Sequence, residues 1–167
     1  MEQESIFLNE FEEKEKKGSI NVLTILTFIA CGLIFIFSFV GFFFSDKSYQ
    51  AAVDLVSSGK VEQMPSFLQG NYTPEKLEIL RLTAVNKVPI LIIYLITTGL
   101  CLFGAIQMRK LKADGYWIWL IGEVLPYPAV SFFVGSGFLV GWGPYFSYAI
   151  IIVFIILYSA QRKYLTK

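Results

Sequence analysis

The sequence contains no histidine and only two cysteines among its 167 residues. Histidine is the commonest general base and the commonest metal ligand. Two cysteines are too few for a disulfide framework or a cysteine-rich metal site. Charged residues are also scarce, at 16%, where soluble domains carry about 25%. We therefore expect no metal, no cofactor and no enzymatic activity. The near balance of 14 basic and 13 acidic residues gives no reason to expect a nucleic-acid partner.

Apolar residues make up 55% of the chain, and they are gathered into four long runs. A helix needs about 20 apolar residues to cross the hydrocarbon core of a bilayer, and backbone groups cannot stay unpaired there. The sequence therefore predicts an all-α membrane protein with four transmembrane helices. The predicted spans are residues 20–45, 88–108, 116–134 and 144–160.

Basic residues predict how these spans are oriented, because Lys and Arg are enriched in cytoplasmic segments. Residues 1–19, the link at 109–115 and the tail at 161–167 together hold nine of them. These are Lys14, Lys16, Lys17, Arg109, Lys110, Lys112, Arg162, Lys163 and Lys167. The 46–87 loop is longer and its five basic residues are offset by five acids, while the Gly-rich 135–143 segment has none. We expect both termini in the cytoplasm, the 46–87 loop outside and the Gly-rich segment as an outer turn.

The outer loop is long enough to have structure of its own, and two short helices are predicted at about 48–58 and 74–87. Thr73 is placed to cap the second helix, and Pro74 suits its first position. Pro89 predicts a kink or a break where that helix meets the membrane.

Glu123 is the one acid that these boundaries place inside a span. A carboxylate within the membrane is costly and normally faces protein or water. As a functional group, Glu123 would carry a proton, coordinate a cation or bind a cationic substrate. As a structural group, it would make an interhelical hydrogen bond or an ion pair with Arg109 or Lys110. Pro126 and Pro128 follow closely, and they either bend the span, as in transporter sites, or end it early.

Small and hydroxyl-bearing residues recur at steps of three and four on one side of the first two spans, as on surfaces where membrane helices meet. The helix-packing candidates are Asn21, Thr24, Cys31, Ser38, Thr98 and Cys101. Gly137-x-x-x-Gly141 also matches a close-packing motif, although it lies in the Gly-rich turn.

Aromatic residues near the span ends fit the belts found at membrane–water interfaces. On this pattern the cytoplasmic interface holds Tyr116, Trp117, Trp119, Tyr158 and Tyr164. Trp142 and Tyr145 lie at the outer one.

The run Met108-Arg109-Lys110-Leu111-Lys112, followed by Gly115-Tyr116-Trp117-Ile118-Trp119 and Gly122-Glu123, resembles small four-span inner-membrane proteins from Bacteroidota-type bacteria. These have a basic link, then a glycine, alternating aromatics and a Gln or Glu. Because that group has no assigned activity, the resemblance implies a bacterial inner membrane and nothing about chemistry.

Two functional hypotheses follow from these patterns. The first is a structural or accessory subunit that contacts the lipid bilayer and other membrane proteins of a larger assembly. The alternative is a small oligomeric transporter or channel that uses Glu123 to couple protons or ions.

Overall fold

The computed structural model describes the backbone of residues 2–165 and the side chains of residues 18–163 and 165. It confirms the predicted all-α architecture, because four helices are long and apolar enough to cross a membrane. These are Gly18–Ser57, Lys87–Arg109, Asp114–Val134 and Trp142–Gln161. The predicted cytoplasmic segment 1–19 has described side chains only at its last two positions. Residues 166–167 of the predicted tail lie outside the described part.

Seven α-helices and three short 3-10 helices make up the regular structure of the described chain. The α-helices are α1 Glu2–Ser57, α2 Ser66–Gln69, α3 Pro74–Val85, α4 Lys87–Arg109, α5 Asp114–Val124, α6 Pro126–Val134 and α7 Trp142–Gln161. The 3-10 helices are Lys60–Gln63, Ser136–Leu139 and Arg162–Tyr164.

Helix α1 differs from the prediction, because the first span and the helix predicted at 48–58 form one continuous helix. No glycine or proline lies between Ser45 and Ser57 to end it. The helix stops just before Gly59, whose φ of 67° is the left-handed conformation that glycine tolerates. Beyond the membrane span, α1 packs against α3, and Ala52 is buried there.

Helix α3 covers one end of the bundle. The Thr73 side chain caps it as predicted, accepting a hydrogen bond from the Lys76 backbone N–H at 3.4 Å. The helix ends at Val85, and α4 begins after Asn86, so the break lies just before Pro89. Pro89 then occupies the first turn of α4, where its missing N–H removes no helical hydrogen bond. We call the end covered by α3 and Ser136–Leu139 the capped end, and the end at the 110–113 link the link end.

The third span continues past its prolines. Helices α5 and α6 meet at Leu125, whose φ and ψ of −57° and −36° are helical. Pro126 and Pro128 therefore interrupt the hydrogen-bond ladder without ending the span. The Gly-rich stretch that follows folds as a turn around Ser136–Leu139, with φ of 87° at Gly135 and 132° at Gly141.

Helices α4 and α5 form the most closely packed pair in the fold, and three glycines make this possible. A Cβ atom added at Gly104 would lie 2.5 Å from the backbone nitrogen of Trp119. One added at Gly122 would lie 2.8 Å from the backbone nitrogen of Cys101. Gly115 is equally crowded, so the two backbones touch along the hairpin.

The glycine motif singled out in the sequence has a different role. A Cβ atom at Gly137 would lie 2.6 Å from the Glu75 carboxylate, so Gly137 lets the turn pack against α3. It does not join two spans. The glycines that do join spans include Gly115 and Gly122, which are seven residues apart and therefore lie on one face of α5.

Candidate functional site

A cavity of about 330 Å³ lies between the four spans, and Glu123 is one of its lining residues. Every transmembrane segment contributes to its wall. The lining comprises Cys31 and Ile34 from α1, Tyr94, Thr97, Thr98 and Cys101 from α4, Gly122, Glu123, Pro126 and Tyr127 from the third span, and Pro144, Ser147 and Ile151 from α7. Phe138, from the turn at the capped end, completes it.

Glu123 is half-buried and joins α5 to α4. The Cys101 thiol donates a hydrogen bond to Glu123 Oε2 at a sulfur–oxygen distance of 3.2 Å. This is the interhelical hydrogen bond that the sequence analysis gave as one structural role of Glu123. Its partner is Cys101 rather than the basic residues Arg109 and Lys110. Glu123 also faces the cavity, so its carboxylate can bond to Cys101 and still be reached by a ligand in the cavity.

The structure brings Glu123 together with one of the two prolines. Pro126 lines the cavity one turn beyond Glu123. Pro128 is exposed, and its carbonyl accepts a hydrogen bond from Ser131 Oγ at 3.0 Å. Pro126 is therefore part of the candidate site, and Pro128 is not among its lining residues.

The helix-packing candidates divide into two groups. Thr24, Cys31, Thr98 and Cys101 are buried between helices. Asn21 and Ser38 are half-buried. The two cysteines are free, and both line the cavity.

An aromatic plug closes the bundle between the cavity and the link end, and we define it as Tyr116, Trp119 and Tyr158. These residues are at most 5% exposed and lie in the core, so they face other helices and not the lipid headgroups. Trp117, from the same predicted belt, is 49% exposed. The Trp119 and Tyr158 ring centroids are 4.6 Å apart. The Tyr158 hydroxyl is 2.8 Å from that of Thr27, a buried residue that the sequence patterns missed. By contrast, Trp142 is 93% exposed.

A second hydrogen bond strengthens the plug. The Tyr116 hydroxyl lies 2.9 Å from Ser159 Oγ on α7. The Arg162 guanidinium sits over the Trp117 ring, 4.8 Å from its centroid. Stacking and hydrogen bonds therefore tie α1, α5 and α7 together at this level.

The cavity lining combines apolar surface with hydrogen-bond acceptors. Glu123 is the only formally charged residue among the lining residues. The Thr97 hydroxyl donates its proton to the Ile93 carbonyl at 2.9 Å, so its lone pairs remain available to a ligand. This chemistry fits a small ligand that donates hydrogen bonds and carries positive charge. Among the side chains that the structure describes, no three acidic or thiol groups are placed to hold a metal ion.

Comparisons of the chain with protein-family models, curated proteins and solved structures found no match. The resemblance to small four-span inner-membrane proteins therefore stays a prediction.

Proposed function

We propose that this integral membrane protein is a small transporter that carries a hydrogen-bond-donating cation, a proton or an ammonium-type ion, through Glu123. The observation that supports the proposal is that Glu123 lines the 330 Å³ cavity inside the membrane bundle. A carboxylate is expensive to hold at this depth, and such residues usually serve ion or proton pathways. The proposal assigns no catalytic reaction and no cofactor to the chain.

The position of Glu123 suits a coupling role. It lies near the middle of the Asp114–Val134 span, nine residues from its start, which is about 14 Å of helical rise. The Cys101 thiol provides a weak hydrogen-bond donor that a bound cation can outcompete. Pro126 lies one turn further on, and a span with an interrupted ladder can bend during a transport cycle.

The decisive experiment measures cation flux in liposomes that contain the purified protein. A pH gradient or a methylammonium gradient is imposed, and flux is followed with an internal pH dye. We expect wild-type protein to exceed protein-free liposomes. Glu123→Gln, which keeps the shape of the side chain and removes its charge, should reduce flux to the protein-free level.

Glu62→Gln is the matched control, because Glu62 is exposed in the segment between α1 and α3. Its flux should equal that of the wild type. Thermal unfolding in detergent checks that both variants are folded. Wild-type flux in Glu123→Gln, or no flux above the lipid background in the wild type, would contradict the proposal.

For orientation we keep the prediction from the basic residues. On that prediction the capped end faces outward, the link end and both termini lie in the cytoplasm, and the membrane is the bacterial inner membrane. The aromatic plug then closes the cavity on the cytoplasmic side, so the capped end is the side from which a ligand would enter.

The second candidate function is an accessory subunit of a larger membrane assembly or of a homo-oligomer. It is favoured by Phe67 on α2, which is 78% exposed although it lies outside the four spans. An exposed aromatic ring at this position can anchor a neighbouring protein. Under native expression in mild detergent, Phe67→Ser should lose partners that the wild-type protein retains. Identical partner sets for the two proteins would argue against this role.

A further inference from the structure

A second, smaller cavity of about 140 Å³ adjoins the Glu123 cavity towards the capped end. It lies between α1, the α3–α4 junction and α6. Tyr94 and Phe138 line both cavities, so these two rings form the partition between them. At its far side the smaller cavity reaches Lys87, at the start of α4. The two cavities together therefore occupy the space between Lys87, near the capped end, and Glu123.

Hydroxyl groups in the smaller cavity present acceptors to its interior. Ser38 Oγ donates to the Ile34 carbonyl of its own helix at 2.6 Å. Thr83 Oγ1 likewise donates to the Ile79 carbonyl at 2.7 Å. A hydroxyl has one proton, so a group that donates it to the backbone keeps only lone pairs for a ligand.

Ser45 follows the same pattern, donating to the Phe42 carbonyl at 3.3 Å. Thr97 repeats it beyond the partition, in the larger cavity. Beyond these hydroxyl oxygens, the last acceptor is the Glu123 carboxylate. These lone pairs and the carboxylate can accept hydrogen bonds from a cation along the path.

An ion pair controls the charge at the entrance of the smaller cavity. Lys87 Nζ pairs with the Asp46 carboxylate of α1, and both side chains are partly exposed. Lys87 is the only charged residue among those lining this cavity. Pairing with Asp46 offsets the repulsion that its ammonium would otherwise exert on an incoming cation.

Contacts from the cap hold Phe138 in the partition. Lys76 Nζ on α3 donates to the Val140 carbonyl at 3.0 Å, and the Tyr148 hydroxyl donates to the Leu139 carbonyl at 3.2 Å. The turn that carries Phe138 is thereby attached to α3 on one side and to α7 on the other. Movement of this turn would move the ring.

We infer that the smaller cavity is the entrance for a small ammonium-type cation, and that Phe138 and Tyr94 are the constriction this cation passes to reach Glu123. The inference rests on the proposed function, because that function is the reason for a cation to reach Glu123. Its geometry is tested separately, since the native thiols of Cys31 and Cys101 lie beyond the constriction and report access without any transport.

The experiment labels these thiols with 2-aminoethyl methanethiosulfonate, a primary ammonium reagent, on protein in lipid nanodiscs. Nanodiscs expose both ends of the bundle, so no orientation has to be assumed. Phe138→Ala should raise the labelling rate by roughly tenfold, which corresponds to a barrier lowered by about 1.36 kcal/mol. Phe132→Ala is the matched control, because Phe132 is 85% exposed and lines neither cavity.

Charge variants at the entrance give a second test that leaves the core intact. Lys87→Met leaves Asp46 unpaired and should raise the rate for the ammonium reagent, while Asp46→Asn leaves Lys87 unpaired and should lower it. Each change should be about fivefold, the effect of a unit charge about 4 Å away in water-like surroundings. The anionic 2-sulfonatoethyl reagent should respond in the opposite direction. Cys31→Ser and Cys101→Ser identify the thiol that reacts.

The assignment of the entrance would be overturned if wild type, Phe138→Ala and Phe132→Ala had equal thiol-labelling rates and the charge variants did not change those rates. Labelling that follows the predicted pattern in a protein without cation flux would support the entrance and contradict the transporter. Flux that depends on Glu123, with labelling indifferent to Phe138 and Lys87, would support the transporter and reject this route.

Discussion

The two halves of the bundle are built differently. Towards the link end, α4 and α5 touch backbone to backbone through Gly104 and Gly115, and the aromatic plug fills the space beside them. Gly122, the third close contact, lines the larger cavity. Towards the capped end the spans separate around two cavities of about 330 and 140 Å³, covered by α3 and a 3-10 turn. Lipid provides little hydrophobic drive for helix association, so close packing has to stabilise the bundle.

The close packing that stabilises the fold lies towards the link end, whereas the cavities lie towards the capped end. Towards the link end the helices meet through short backbone contacts, stacked rings and hydrogen bonds, so little empty space is left between them. The capped half holds the acceptor-lined space, and its cap is attached through contacts such as Lys76 with the Val140 carbonyl. Glu123 therefore lies between closely packed helices on one side and a cavity on the other.

The largest loss of stability is expected from a substitution near the link end. Gly104→Ala places a methyl group 2.5 Å from the Trp119 backbone nitrogen, and backbone atoms cannot move aside without separating α4 from α5. Overpacking of this kind costs about 1–3 kcal/mol, and we expect the upper end of that range. The measurement is the midpoint of thermal unfolding in detergent, together with the yield of monodisperse protein.

Gly99→Ala is the control on the same helix, because no atom lies within 4 Å of the position its Cβ would take. It should unfold at or slightly above the wild-type temperature, since alanine favours the helix. If Gly104→Ala were as stable as Gly99→Ala, the close contact between α4 and α5 at Gly104 would not be needed for stability.

A smaller effect is expected from the plug. Tyr158→Phe keeps the ring stacked on Trp119 and removes the hydroxyl that lies 2.8 Å from Thr27. Hydrogen bonds between membrane helices contribute about 0.6 kcal/mol on average, so the unfolding midpoint should fall modestly. Tyr145→Phe, at a 54% exposed position near the start of α7, should leave the midpoint unchanged. If both variants lowered the unfolding midpoint equally, the Tyr158–Thr27 hydrogen bond would not contribute specifically to stability.

The smallest effect is expected on the cap. Arg81 on α3 binds the Glu78 carboxylate through two hydrogen bonds of 2.7 and 2.8 Å, and this lowers the pKa of Glu78 below its usual value of 4.5. A lowered pKa means that the pair stabilises the fold at neutral pH and loses that contribution as the pH falls through the lowered value. Because both side chains are exposed, Glu78→Gln should barely change the unfolding midpoint at pH 7. A large loss at neutral pH would show that the cap supports the bundle.

The regular elements could be predicted well, because their causes are local. Hydropathy placed four spans where the structure has four apolar helices, and Thr73 with Pro74 marked the start of α3. The boundary between the first span and the next helix was wrong, since the change from apolar to polar residues after Ser45 ends the membrane span without ending the helix.

The candidate site was only partly predictable. Glu123, Cys31, Thr98 and Cys101 were identified by their polarity within apolar runs, and all of them line the cavity. Phe138 could not be found this way, because an apolar residue in a turn gives no periodic signal. Tyr158 was assigned to the interface because it lies near the end of its span, but its contact with Thr27 joins residues 131 positions apart.

The sequence by itself determined that this protein has four membrane helices, where α3 begins and which acid lies within the membrane, because hydropathy and capping act over a few neighbouring residues. Only the tertiary structure decided which glycines join helices, which aromatic rings are buried and that Glu123 faces a cavity rather than solid packing. These properties depend on which faces of α1, α4, α5 and α7 meet. That choice is a property of the packed bundle and of no single segment.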